Sequence, residues 1–218
     1  MFDRIIWVLD EIPHAAALNM AIDEALLQTE EDAVLFRAYR WHKLAVSIGY
    51  FTAWSRANAL YSGREIVRRW TGGGIVEHGD DFTYSLLLPG SHKLIQNRDL
   101  YRQVHAAITK SLHESGYSAA VVTEKAPDHS DFCFDSPVES DVEVSGMKVA
   151  GAAVRRLRTG IIFQGSIQRI PINDRFADRL VHNLAGSVEK RMLSAVTTLL
   201  AERIANEKYG TESWTRRY

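Results

Sequence analysis

The chain has 218 residues, 46% of them hydrophobic and 24% charged, with a formal net charge of −1. That balance excludes the concentrated basic face of a nucleic-acid binder, and no apolar run is long enough to cross a membrane. A single cysteine, Cys133, excludes an internal disulfide and a multi-thiolate zinc site, and the scattered histidines give no zinc-helix spacing.

The N-terminal residues lack a signal-peptide pattern, so we read the chain as soluble and cytoplasmic, one domain over 1–218. Residues 3–9 read as a strand. Residues 14–29 read as a helix, with Leu18, Ile22 and Ala25/Leu26 on one apolar face. Residues 33–40 alternate like a half-buried strand, and Leu44–Ile48 is a short apolar run after a turn. Ile66–Trp70 predicts a strand that ends at the glycine triplet Gly72, Gly73 and Gly74. Thr83–Leu88 predicts another, stopped by Pro89-Gly90. Leu100, Val104, Ile108 and Leu112 repeat every four residues in a helix over 99–115, with Gly116 at its C-terminal cap. A short strand at Ala119–Val122 and a loop holding Cys133 follow. Then comes a hairpin over residues 142–150 that turns at Ser145-Gly146. Gly160–Gln168 predicts a strand, and 187–206 a last helix with Val188, Met192, Ala195/Val196 and Leu199 inward. Strands and helices mix without β-α alternation, which predicts an α+β layered fold and not a doubly wound sheet.

Three consecutive glycines are entropically costly at the end of a strand. They serve either a bare turn or a close approach of backbone N–H groups to an anion or carbonyl. No Gly-Lys-Ser/Thr follows, so this is not a Walker loop. Strand alternation sends only one of Arg68 and Arg69 into a site beside the glycines. Arg69 is the candidate for binding a phosphate or acyl carbonyl. The other arginine then reads as a surface residue paired with Glu65 or Asp80. His78 is either a proton carrier or a structural hydrogen-bonding group.

Five stretches resemble the catalytic domain of lipoate–protein ligases and LipM-type octanoyltransferases: residues 19–26, 35–41, 46–50, 68–78 (Arg-Arg-Trp-Thr-Gly-Gly-Gly-Ile-Val-Glu-His) and 146–153 (Gly-Met-Lys-Val-Ala-Gly-Ala-Ala). Their order and spacing carry the resemblance from the first helix to about residue 170. It implies the mixed-sheet fold shared with biotin ligases and class II aminoacyl-tRNA synthetases. It also implies a medium-chain acyl substrate, octanoyl or lipoyl, delivered to a lysine of a lipoyl domain or glycine-cleavage H protein. The 68–78 stretch resembles the family's acyl-binding loop, and Lys148 its essential lysine, flanked by Gly151 and Ala152. Ala152, Gln164 and Glu77 depart from the family, where serine, histidine and an apolar residue are common.

A ligase consumes ATP with magnesium, whereas a transferase takes an acyl thioester from acyl carrier protein and needs no cofactor. Cys133 bears on that choice. Its plain reading is a small, inert thiol. It lies in a polar loop, however, and resembles the position of the transferase nucleophile, where a nearby cation such as Lys148 raises its thiolate fraction. Lys148 itself suits an oxyanion. The leading expectation is an octanoyltransferase with Cys133 and Lys148 catalytic and Arg69, Gly72, Gly73, Gly74, His78, Gly151 and Ala152 binding substrate. An ATP-dependent lipoate ligase is the first alternative. A non-catalytic acyl- or carrier-binding relative is the second. The Gly-Arg-Gly-Arg loop of biotin ligases is absent from the sequence.

Overall fold

Strands rich in buried β-branched and aromatic residues build two sheets in the computed structural model, which describes residues 1–92, 94–122, 141–173 and 175–218. Among these, the larger sheet has eight strands. They are β1 (Phe2–Leu9), β2 (Val34–Tyr39), β6 (Phe82–Pro89), β7 (Ala119–Val121), β8 (Val142–Val144), β9 (Met147–Arg156), β10 (Gly160–Ile167) and β11 (Ala185–Met192). Their order is β11-β1-β2-β6-β10-β9-β8-β7. The β11-β1-β2 pairs are parallel, and those from β2 to β7 are antiparallel. A smaller sheet, β4-β3-β5, comprises β3 (Ala45–Ile48), β4 (Glu65–Arg68) and β5 (Ile75–His78). The mixed α+β class expected from the sequence is the one found.

Both faces of the large sheet are covered. Helices α3 (Asn97–His113) and α4 (Phe176–Leu184) pack on one face through Leu100, Val104, Ile108, Phe176 and Leu180. On the other face lie α1 (Ala16–Thr29) and α5 (Ala195–Ile204). Successive β1 residues divide between the layers, Ile5 to the first and Ile6 to the second, as a two-sided sheet requires. Helix α2 (Trp54–Leu60) packs on the small sheet, and α6 (Glu212–Thr215) closes the C-terminal segment.

The hairpin forms where expected, with Ser145 at φ 53° and Gly146 at φ 75°, both left-handed as a two-residue turn of this kind demands. Several expectations need correction. Residues 33–40 read as half-buried, yet β2 is interior and covered on both faces. The strand expected to run through Trp70 stops at Arg68. Helix α1 is buried nearly all round, from Asn19 to Leu27, because it is enclosed by the sheet, α5 and the C-terminal segment. The helix expected over 187–206 is the edge strand β11 followed by α5. Met192, Val196 and Leu199 are exposed, and α5 turns Thr197, Ala201 and Ile204 inward instead. Helices α2 and α4 and strand β5 had no counterpart in the sequence reading. The Phe176, Leu180 and Leu184 repeat was a legible signal for α4.

Candidate active site

Strand register lays out the site. On the α1 side of the large sheet, Arg37, Ser85, Gln164 and Ala153 stand in one row across β2, β6, β10 and β9. Two residues along, Tyr39, Thr83, Ser166 and Gly151 form a second row, about 7 Å away at strand rise.

Helix α1 meets the first row with polar groups. Arg37 is fully buried and donates to Asp23 Oδ1 at 2.8 Å, Asp10 Oδ2 at 2.7 Å and Asn19 Oδ1 at 2.7 Å. Burial works against its charge, but Asp23 and Asp10 outweigh that and raise its pKa. Asp23 Oδ2 accepts from Ser85 Oγ at 2.5 Å and Gln164 Nε2 at 2.8 Å. Gln164 Oε1 in turn accepts from Thr71 Oγ at 2.8 Å. The glycine loop is thereby tied through Thr71 to the sheet centre.

The loop itself is held by its carbonyls. Arg69 donates to Gly72 O at 2.8 Å, Gly74 O at 2.9 Å and Ser47 O at 3.0 Å. Thr52 Oγ donates to Gly73 O at 3.0 Å. Each trans peptide sets C=O and N–H on opposite sides, so the N–H groups of Gly73 and Gly74 turn away from these contacts. Gly49 permits the packing, since a Cβ there would lie 1.8 Å from Gly73 O, and Gly73 takes φ +87°. Arg69 therefore shapes the loop from within. Arg68 is not the surface residue expected: it is buried and donates to the carbonyls of Gly49, Tyr50, Thr52 and Thr215 at 2.8–2.9 Å. Glu65 caps α1 through Ala16 N at 3.0 Å.

Lys148 lies on β9 opposite Glu143, three residues before Gly151 of the second row, and its side-chain end comes beside that glycine. Its ammonium is 2.6 Å from Asp141 Oδ2, and its side chain is 5% exposed. A Cβ on Gly151 would stand 3.1 Å from Lys148 Cε and 3.3 Å from Nζ, so this glycine makes room for the lysine end. Ala152 does not share that face. Strand alternation turns it to the α3 side, against the first core, where its carbonyl accepts from Tyr101 Oη at 3.1 Å. Cys133 lies outside the described residues. Val122 and Asp141, which flank residues 123–140, are joined by a Val122 N–H to Asp141 O bond of 2.7 Å.

His78 is buried under Trp41, with ring centres 4.0 Å apart. Its Nδ1 donates to Asp81 Oδ2 at 2.8 Å, and Nε2 is 2.8 Å from Ser47 Oγ. Burial pushes the Asp81 carboxyl up, but His78 and the Ser166 and Thr83 hydroxyls prevail and bring it down to about 2. Both His78 nitrogens are thus engaged with protein, and through Ser166 this group braces the second row. Glu77 is a surface residue, bonded to Tyr61 and Arg64.

Asp23, Arg37 and Asp141 carry no role that the sequence alone predicts, and Gln164 stands out there only as a departure from the family. Asn19 and Asp23, four apart in a mainly apolar helix, are the available signal for a polar site on α1.

This arrangement presents a glycine loop and a paired lysine on one sheet face. Residues 15–202 match the lipoyl protein ligase A/B catalytic domain family, and the chain belongs to it. It is 33% identical over 169 residues to the octanoyltransferase LipM of Oceanobacillus iheyensis, covering 73% of this chain and 62% of that protein. Against the LipM of Staphylococcus aureus the identity is 33%, with 72% and 64% covered. Against that of Brevibacillus brevis it is 30%, with 82% and 71% covered. The chain thus spans less than two thirds of the first two relatives. Its fold is similar to that of a putative lipoate protein ligase from T. acidophilum with bound lipoic acid, with TM-score 0.78, 20% identity and both chains wholly covered. It also resembles lipoate-protein ligase A bound with ATP, with TM-score 0.79, 19% identity and 99% of each chain covered. Among the described residues, no helix is long and apolar enough to cross a membrane.

Proposed function

We propose that the chain is an octanoyltransferase of protein lipoylation, moving octanoyl from acyl carrier protein to a lysine of a lipoyl domain or glycine-cleavage H protein. The observation that carries this reading is the 33% identity to LipM octanoyltransferases over most of the chain. The Cys133 thiolate attacks the thioester carbonyl, and the carrier thiol leaves with a proton. The acceptor amine then attacks the Cys133 thioester, an amide forms, and the Cys133 thiol is released. Lys148 and the N–H group of Gly73 stabilise the oxyanion in each step. Arg69 fixes the Gly72 and Gly74 carbonyls, Gly151 leaves room for the lysine, and His78 and Ala152 support the loop and strand from behind. No nucleotide or metal takes part, and the reaction proceeds in the cytoplasm.

The test combines purified protein, octanoyl carrier protein and a lipoyl domain without nucleotide. Octanoylation of the domain's lysine is expected. Modification only with free octanoate and ATP, with release of pyrophosphate, would instead identify a ligase.

A further inference from the structure

The face that carries Gly151 continues along β9 to Ala153 and Arg155, all partly exposed. Arg155 ends the run at the mouth of the glycine loop. Its guanidinium lies 4.2 Å from the centre of the Tyr50 ring and donates to Trp70 O at 3.2 Å. Arg217 approaches the same Tyr50 ring at 5.3 Å. Tyr50 is part of the loop support, its N–H bonded to Thr71 O at 2.9 Å. A third cation, Lys208, stacks 3.3 Å over Trp70, but Glu24 pairs with it at 2.6 Å. Among the described residues, Arg155 and Arg217 have no carboxylate partner. Two guanidiniums around one ring, without a carboxylate partner among the described residues, are suited to receive an anion. Beside them Phe51 is 73% exposed and packs edge-on to Tyr50.

Distance narrows the anion. Four residues separate Gly151 from Arg155, about 13 Å at strand rise. The acyl carbonyl belongs at the Gly151 end, beside Lys148. A phosphopantetheine chain reaches that far from its thioester sulfur to its phosphodiester. Gly151 and Ala153 leave the intervening face without bulk. We propose that Arg155 and Arg217 bind the phosphodiester of the donor's phosphopantetheine arm, which lies along the Gly151–Ala153–Arg155 face. This rests on the thioester-donor reading above.

The experiment measures equilibrium binding of two unreactive probes, octanamide analogues of phosphopantetheine and of pantetheine, which lacks the phosphate. The unaltered protein is expected to bind the phosphorylated probe at least about tenfold more tightly, the scale of one charge-assisted contact. In R155M/R217M that preference falls to about one. R217M alone, which leaves the Arg155 to Trp70 contact in place, gives an intermediate ratio. The ratio, not the absolute affinity, is the readout, so a general loosening of the site does not mimic the result. Equal affinities in the unaltered protein, or a ratio untouched by both variants, overturn the proposal. So does loss of octanoyl carrier protein binding with the phosphate preference intact, which would assign the arginines to the carrier's acidic surface. A phosphate preference without any acyl transfer leaves the anion site standing and removes the transferase reading alone.

Discussion

Lys148 owes its position to what Gly151 lacks. A side chain at 151 enters the space of the lysine end, 3.1 Å from Cε. The lysine end is flexible and moves aside, so the fold survives while the ammonium is displaced. Gly151→Ala is expected to lower kcat/KM for acyl transfer by about 10²-fold, with a melting temperature close to that of the unaltered protein. Steady-state kinetics and thermal melts together check this. The Gly-Met-Lys-Val-Ala-Gly segment singles out Lys148 and Gly151, but reads the glycine as room for an acyl chain; its contact with the lysine end accompanies a register shift beside Lys148 that no local pattern shows. The place of Ala152 was not legible either, because neighbouring residues on a strand face opposite sides and a motif does not report which faces the site. At the same scale, Asp81 gives a pH signature. Its carboxyl sits at about 2 in the fold against 3.8 unfolded. The stability it contributes is therefore present above about pH 4 and is lost as pH falls toward 2, to the extent of about 2 kcal/mol. Urea titrations between pH 5 and 2 should show this acid loss in the unaltered protein and a shallower one in Asp81→Asn.

Helix α1 and strand β2 share a buried polar network centred on Arg37 and Asp23. Asp23 joins Arg37, Ser85 and Gln164, so Asp23→Ala leaves a buried arginine short of a partner. A loss of roughly 3–5 kcal/mol is expected, readable as the urea midpoint. A midpoint within experimental error of the unaltered protein would show that the network holds nothing together. Elements with a strong helical repeat were legible from the sequence, as in α3 with its Leu100, Val104, Ile108 and Leu112 stripe. So were turns with left-handed residues, as at Ser145-Gly146. Elements held by pairing were not. Strand β11 is an edge strand with Glu189, Lys190 and Arg191 exposed, joined to β1 by backbone bonds. Its Val188 and Met192 fall four apart by coincidence, and that imitates a helix. The polar row Arg37–Ser85–Gln164 depends on register between three distant strands, which no local pattern encodes.

Across the whole molecule, the glycine loop is supported from two sides, by the sheet through Gln164 and by the C-terminal segment through Arg68. Arg68 bonds the carbonyls of Gly49, Tyr50 and Thr52 and those of Trp214 and Thr215, and Trp214 Nε1 returns a bond to Arg68 O at 2.8 Å. Arg68→Met should destabilise the protein by about 3 kcal/mol and expose the C-terminal segment to trypsin after Lys208. Resistance of that bond in the variant would contradict the clamp. Under the proposed function the glycine loop and Lys148 hold the acyl group, a role that suits ligase and transferase chemistry alike. The distinction lies in a covalent intermediate. Intact-protein mass spectrometry after incubation with octanoyl carrier protein, without nucleotide, tests it directly. One octanoyl adduct is predicted, absent in Cys133→Ala and formed more slowly in Lys148→Ala. An unmodified protein, or an adduct that persists in Cys133→Ala, would contradict the transferase account.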